Sequence, residues 1–455
     1  MRVLLALLFA IAAQSPHQQF ARDVLRELVE INTSDKFGTQ AAAEAVAARL
    51  RREGFGADDV HVVGPRPHRS NVVARLRGSG TARPVLFLAH LDVVDARKED
   101  WSDGLDPFTL TERDGFLYGR GTTDIKQEVA VLVTTLVRLK QERFVPSRDI
   151  IVALTADEEV GGTDGIGWLL RDRRPLIDAA CAINTDAGGG QIEKEKRFRY
   201  TVQTSEKASV TFRLETTDRG GHSSQPTKEN AIYRLAEALT RVGRLEFPVK
   251  LNETTRTFLD RMAVHETGSL AADLKGVANK PPDLNAASRL AAASPFYNSV
   301  MRTTCVATML EGGHAVNALP QTARASVNCR ILPEDSLEAV MSALTSAVAD
   351  RRIAITPVNE LRASPASPLV PEVLTPIERL VAEMWPGVPV VPVMDPWATD
   401  GLHLRRAGIP VYGVPSVFTE IDPVRSHGRD ERVGVEAFYE GLEFMYRLMK
   451  ALTAG

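Results

Sequence analysis

The stretch VLFLAHLDVV, residues 85–94, decides the fold. Five apolar residues, Val85 to Ala89, run without a break and then meet His90. A short continuous apolar run reads as a strand buried on both faces when helical and strand-like segments alternate around it, and they do here. Upstream, 19–31 and 39–52 carry apolar residues at helical spacing, the second closed by Gly54 and Gly56. Strands are predicted at 60–63 and 71–76. Downstream come a long helix over 125–141 and strands at 150–155 and 179–184. This alternation predicts an α/β fold, a helix-covered sheet that is mixed but largely parallel.

From about Glu206 the pattern changes. A strand over 209–214, a helix over 230–242, strands over 303–309 and 324–331, a helix over 336–349 and a strand over 353–358 give the order βαββαβ. Such a unit closes on itself as a ferredoxin-like four-stranded sheet with two helices on one face. The helical pieces within 246–301, broken at Pro281 and Pro282, read as an elaboration of that unit. Past the Ala/Ser/Pro-rich segment 363–371, a helix over 374–384, a strand over 410–414 and a helix over 435–452 resume the first style. Residues 14–205 and 363–455 are therefore expected to form one catalytic domain, interrupted by an inserted domain over 206–362.

The chain has 455 residues, about three domain-lengths at roughly 150 residues each, which excludes a lone small binding module. Its 44% hydrophobic and 25% charged content is that of an ordinary globular protein. Lys and Arg (55) nearly balance Asp and Glu (58), net charge -3, with no long basic run, so nucleic acid is not an expected partner. Residues 1–13 combine Arg2, an apolar run and small residues at Ala10 and Ala12, the pattern of a secretory signal peptide too short to span a bilayer. The expected location is secreted or periplasmic, with no membrane association after cleavage. Cys181, Cys305 and Cys329 sit far apart in apolar stretches without Cys-x-x-Cys spacing. They read as small buried hydrophobes, and stability is expected to be independent of redox state.

Chemistry gathers where predicted strands end. His90 closes the 85–89 run, Asp124 stands at the expected N-cap of the long helix, Glu158 and Glu159 follow the strand ending at Thr155, and Asp186 follows the strand ending at Asn184. Open α/β sheets place their sites at the carboxyl ends of strands. Each acid alone has a plainer explanation: a helix cap worth about 1 kcal/mol for Asp124, a turn before Gly188 for Asp186, a solvated corner for Glu158 and Glu159. Their convergence on one sheet edge with an imidazole points instead to a metal site. Asp92 lies two residues past His90, on the same side of an extended strand, where it can accept the second ring N–H and fix the tautomer. Nitrogen and oxygen donors without thiolates suit two zinc ions or similar dications, with Asp124 able to bridge them. Of two adjacent acids, one can ligate while the other serves as general base.

Seven blocks then match a known family in order: FLAHLDVVDA (87–96), LYGRGTTDIK (117–126), TADEEVGG (155–162), NTDAGG (184–189), GGHSSQP (220–226), VNALPQTARASVNCRILP (316–333) and SHGRDERV (426–433). The chain resembles the dizinc metallopeptidase and amidohydrolase family of acetylornithine deacetylase, succinyl-diaminopimelate desuccinylase, aminoacylase, carnosine-type dipeptidases and carboxypeptidase S. The tail and Arg302-Thr303-Thr304 are most similar to the carboxypeptidase S and N-acyl-amino-acid hydrolase branch.

The resemblance implies that His90, Asp124, Glu159, Asp186 and His427 hold two zinc ions, replaceable by cobalt or manganese, with Asp124 bridging. Glu158 would be the general base and Asp92 would orient His90. It also implies a homodimer through the inserted domain, which would act as a lid. His222 would reach the partner's site to stabilise the oxyanion, and Asn317 and Arg330 would contact the substrate, Arg330 at its carboxylate, a planar anion suited to a guanidinium fork. Read alone, these three are a helix-cap His, a turn Asn and an outward strand Arg.

The implied activity is hydrolysis, through a metal-bridging water, of the amide bond of small peptides of dipeptidase or carboxypeptidase type. The alternative is an N-acyl-amino-acid amidohydrolase, the substrate in either case carrying a free carboxylate. A non-catalytic amino-acid- or peptide-binding homologue is disfavoured because every ligand and the base are present. Two departures stand out: Gln127 where the family often has Gly, and Asp186 where several members have Glu. Trp397, Phe418, Phe296 and Tyr297 could line a pocket but read first as aromatic core, and His265, His314 and His403 as structural or surface residues.

Overall fold

A computed structural model describes residues 14–421 and 424–454; the proposed leader, 1–13, lies outside them. A ten-stranded sheet forms the frame. Its order is Val60–Arg66, Arg69–Leu76, Arg148–Thr155, Ala82–His90, Cys181–Asn184, Val411–Gly413, Lys196–Glu206, Gly189–Glu193 and Phe418–Glu420, with Val390–Asp395 also paired to Lys196–Glu206. The central pairings, Arg148–Thr155 with Ala82–His90 and Ala82–His90 with Cys181–Asn184, are parallel, as is Cys181–Asn184 with Val411–Gly413. Antiparallel pairs flank them. The sheet is mixed and mostly parallel, as the alternation of segments implies.

The run 85–89 explains the two-layer cover. Val85, Phe87 and Ala89 pack into one core with the helices Pro16–Glu30, Gln40–Arg52, Lys126–Gln141, Pro371–Met384 and Val435–Thr453. Leu86 and Leu88 pack into another with Ile166, Leu169 and Leu404 on the opposite face. Period-two alternation thus gives each layer its share of apolar side chains, each worth about 1.5–3 kcal/mol when fully buried. The helix Lys126–Gln141 is buried along nearly its whole length. At its start, the Lys126 ammonium donates to the carbonyls of Leu28 and Ile31 at the end of the first helix, a favourable place for a cation.

Between Glu206 and Val390 the chain builds a second sheet, order Thr304–Gly312, Thr322–Ile331, Ala208–Thr217 and Ile353–Pro357, antiparallel throughout. The helices Ala231–Val242 and Leu337–Val348 share its core through Leu235, Leu344, Phe212 and Val327. This is the expected βαββαβ order. The helical stretch within 246–301 differs from expectation. Phe258, Met262, Leu274 and Leu290 share a core with Val391, Val393 and Met394 of the large sheet, so this stretch elaborates that sheet more than the small one. Apolar spacing predicts that such helices bury a face without saying against what.

Two further readings are corrected. Cys305 and Cys329 face each other across adjacent antiparallel strands and form a disulfide; Cys181 is the free thiol. A separation of 24 residues in sequence says nothing of cross-strand register, which is what brings the sulfurs together. The strands Gly189–Glu193, Lys196–Glu206 and Val390–Asp395 are unpredicted because glycines, interspersed charges and a central proline interrupt their apolar pattern.

Candidate active site

Three neighbouring parallel strands deliver the site. His90 is the last residue of its strand and pairs in register with Thr155, while Leu88 pairs with Asn184. The loops leaving those partner strands carry Glu158, Glu159 and Asp186 to the same edge. Glu158–Val160 is a short 3-10 turn entered through Asp157, which takes a left-handed conformation (φ 70°) that Asp tolerates better than most residues. A Cβ at Gly162 would lie 2.6 Å from Asp400 Oδ1, so only glycine lets the loop close there. At Gly188, past Asp186, a Cβ would lie 2.7 Å from the Thr201 carbonyl.

The side chains converge. His90 Nε2 lies 3.1 Å from Asp124 Oδ1 and 3.6 Å from Asp186 Oδ1. His427 Nε2 lies 3.0 Å from Asp124 Oδ2 and 3.1 Å from Glu159 Oε2. Asp124 therefore offers one oxygen to each imidazole, and two donor groups meet at its carboxylate: His90 with Asp186, and His427 with Glu159. Glu158 comes within reach of His90 and Asp186. All five predicted ligand residues and the predicted base are together, although 337 positions separate His90 from His427.

Two details depart from expectation. The helix begins at Lys126 with Ile125 as its cap, so Asp124 is not a capping residue. Asp92 does sit behind His90, but its backbone carbonyl takes Nδ1 at 2.9 Å while its carboxylate stands at 3.7 Å. The carboxylate instead accepts the amides of Glu158 and Glu159, at 3.2 and 3.1 Å. Asp92 thus couples the imidazole to the acid-bearing turn, since its two acceptor groups serve different partners.

Crowding of acids in a buried place sets the electrostatics. Burial, then the charges of Asp186, Asp400 and Asp124, push the Glu158 carboxyl well above its ordinary value against the pull of His90. Burial lifts Asp186 to about 6, opposed by His90. His427 is raised to about 10 by its hydrogen bonds to Asp124 and Glu159. Burial disfavours charge on His90, yet Asp186 and Asp124 outweigh it and hold that imidazole well above its ordinary value. Burial likewise opposes ionisation of Asp124, but the two imidazoles win and keep it below the usual carboxylate range.

A cavity of about 730 Å³ opens beside the cluster. Asp124, Glu158, Glu159, Asp186 and His427 line it, as does Arg330 from the small sheet. Its lining also includes the apolar residues Phe116, Ile192, Val417, Phe418 and Ile421. Trp397 is half exposed and lines the cavity too, so Trp397 and Phe418 are not simply core; Phe296 and Tyr297 do pack in a core with Phe258. His222 and Asn317 are exposed and do not line this cavity. They meet on a two-stranded ribbon, Gly221–His222 with Ala318–Leu319, where His222 Nδ1 bonds the Ser224 hydroxyl at 2.7 Å. His403, given only a structural or surface reading, contacts the Gly161 carbonyl at 3.2 Å, and His265 and His314 are exposed. Asp400, buried and accepting the Thr155 hydroxyl at 2.6 Å, was missed. Its only signal in sequence is an acid beside Thr399 and Gly401 in a loop, too common to single out.

The donor set fits dications. Imidazole and carboxylate are the ligands that zinc and its neighbours accept without thiolate. Glu159 Oε1 is buried with no hydrogen-bond partner, a cost of about 1–3 kcal/mol that a cation would remove.

Such a cluster at the carboxyl edge of an α/β sheet, beside a cavity able to hold an amide substrate, is the site of a metallopeptidase or amidohydrolase. The chain belongs to peptidase family M20/M25/M40, whose model matches residues 86–451. It is a hydrolase of that family, acting on amide bonds of peptides or N-acyl amino acids. It is similar to the human N-fatty-acyl-amino acid synthase/hydrolase PM20D1, 30% identical over 379 residues, 81% of this chain and 74% of the relative. It is also similar to a probable carboxypeptidase S-like protein of Dictyostelium discoideum, 27% identical over 81% of this chain and 71% of that one. Among solved structures, an M20 metallo-carboxypeptidase from Sulfolobus solfataricus superposes with TM-score 0.69 at 15% identity, covering 95% and 99% of the two chains. Human carnosine dipeptidase 1 gives 0.64 at 16%, covering 96% and 97%.

Proposed function

We propose that this chain is a two-zinc amidohydrolase that cleaves N-acyl amino acids carrying a free carboxylate, the acyl group lying along the apolar lining of the cavity. The observation that carries this reading is that Phe116, Ile192, Val417, Phe418 and Ile421 line the same cavity as the acid and imidazole cluster. It reverses the order reached from sequence, where small peptides came first. Relatives named N-fatty-acyl-amino acid synthase/hydrolase support it.

His90, Asp124 and Asp186 would hold one cation, and Asp124, Glu159 and His427 the other. Bound there, the cations would polarise the amide carbonyl and acidify a water molecule. Glu158, as the carboxylate beside the bound cations, would take a proton from the attacking water and, then protonated, deliver it to the departing amine. Arg330 would pair with the substrate carboxylate from the small sheet. His222 and Asn317, exposed in one chain, would act in a partner's site, His222 on the oxyanion. The small sheet supports such a homodimer: its edge strand Thr304–Gly312 exposes Val306, Met309 and Leu310. Those residues and an unpaired strand edge are what a second copy could cover. The disulfide supports an oxidising compartment, in line with export.

A panel of N-acetyl, medium-chain and long-chain N-acyl amino acids, free dipeptides and N-blocked dipeptides tests the reading. It predicts kcat/KM rising with acyl length and falling at least tenfold on amidation of the carboxylate or in Arg330→Ala. Preferred turnover of free dipeptides would restore the peptidase assignment.

A further inference from the structure

We propose that Glu431, with Arg120, is a positioning residue for the Asp124 bridge, locking it to the loop that carries His427. The inference rests on the two-cation reading above and concerns residues with no role there.

Glu431 is fully buried, and its carboxylate is saturated. Oε1 accepts three backbone amides from one segment: Gly121 at 3.1 Å, Thr123 at 2.7 Å and Asp124 itself at 3.0 Å. Oε2 takes the Arg120 guanidinium at 2.6 Å. Three amides of one four-residue segment turned onto one anion form a backbone cradle, and the cradle sets the path of 121–124 and with it the direction of the Asp124 side chain. The other arm of the same guanidinium donates to the His427 carbonyl at 3.4 Å. The Glu431 carbonyl returns the contact by accepting Gly119 N at 3.1 Å, and Thr123 Oγ1 donates to the Arg432 carbonyl at 2.9 Å.

One ion pair therefore registers two segments that lie about 300 positions apart and that together hold both oxygens of Asp124 and the imidazole facing one of them. The pair is well placed for this and poorly placed for chemistry: neither side chain lines the substrate cavity. Breaking a buried pair also leaves its other charge uncompensated, so the choice of variant matters. Groups that orient ligands from behind typically change metal affinity or activity about 10–100-fold when removed.

The test uses the full chain, stripped of metal and titrated with zinc against a chelating indicator, and then with cobalt while the visible absorption is recorded. Glu431→Gln keeps size and an acceptor oxygen but loses the charge that satisfies Arg120. It is expected to weaken zinc binding about 10–100-fold and to shift the cobalt absorption, which reports ligand geometry rather than stability. Arg120→Lys keeps the charge and cannot span Glu431 and the His427 carbonyl together. It is expected to show a smaller loss with near-normal thermal unfolding, and it decides the matter if Glu431→Gln does not fold. Unchanged zinc affinity and an unchanged cobalt spectrum in the folded variants would overturn the inference. Failure of the parent chain to bind two zinc ions would instead overturn the two-cation reading.

Discussion

Asp124 presents Oδ1 to His90 at 3.1 Å and Oδ2 to His427 at 3.0 Å, so one carboxylate stands between two imidazoles from opposite ends of the chain. A capping aspartate would have spent those oxygens on helix amides. Instead the helix starts two residues later and leaves both free for the site.

Zinc content should follow from this arrangement. Asp124→Ala is expected to lose both equivalents, because each donor group needs one of its oxygens, whereas His427→Ala should lose one and keep the pairing of His90 with Asp186. Metal analysis of the dialysed proteins checks this. Equal zinc content in parent and Asp124→Ala would contradict the bridge.

Glu158→Gln would remove the proposed proton carrier and keep the shape of the turn. The expected loss in kcat is about 10²–10⁴-fold, the usual worth of general acid–base catalysis, with zinc content unchanged. Steady-state kinetics beside metal analysis separates this from a collapsed site.

The pH dependence of the metal-free chain has a defined sign. His427, raised from 6.5 to about 10 by Asp124 and Glu159, binds its proton more tightly when folded. Its contribution is whole below about 6.5 and is lost as pH climbs toward about 10. Asp186, raised from 3.8 to about 6 by burial, acts in the same direction over that lower window. The metal-free chain should therefore lose stability as pH rises, and zinc, which needs both groups deprotonated, should raise Tm more at about pH 8.5 than at about pH 6. Thermal scans with and without zinc check it; a zinc effect that shrinks with rising pH would contradict it.

The Cys305–Cys329 disulfide closes a loop of about 25 residues, for which chain entropy gives about 3.5 kcal/mol. Replacing both cysteines by serine should lower unfolding stability by about that amount. Under denaturing, non-reducing conditions the parent should expose one free thiol, that of Cys181; three would remove the disulfide.

Much of this was legible in sequence because His90, Glu158, Glu159 and Asp186 sit where strands end, and strand ends are visible as the close of an apolar run. His90 after Val85–Ala89 and Glu158 after Ile150–Thr155 are of that kind. What was hidden depended on contacts between distant segments. The disulfide needed the register of two strands, the use of the Asp92 carboxylate needed the path of the 158–159 turn, and Glu431 stood inside a matched block without showing what it held. The helices within 246–301 had a readable apolar face but no readable partner. Trp397 looked like core because composition does not distinguish a buried ring from one lining a cavity.

The central claim is that two cations share Asp124, and anomalous diffraction at the zinc edge from zinc-loaded crystals tests it most directly. The account predicts two peaks about 3.5–4 Å apart, one beside His90 and Asp186, the other beside His427 and Glu159, with the Asp124 carboxylate between them. A single peak, or a pair with Asp124 in contact with only one, would contradict it.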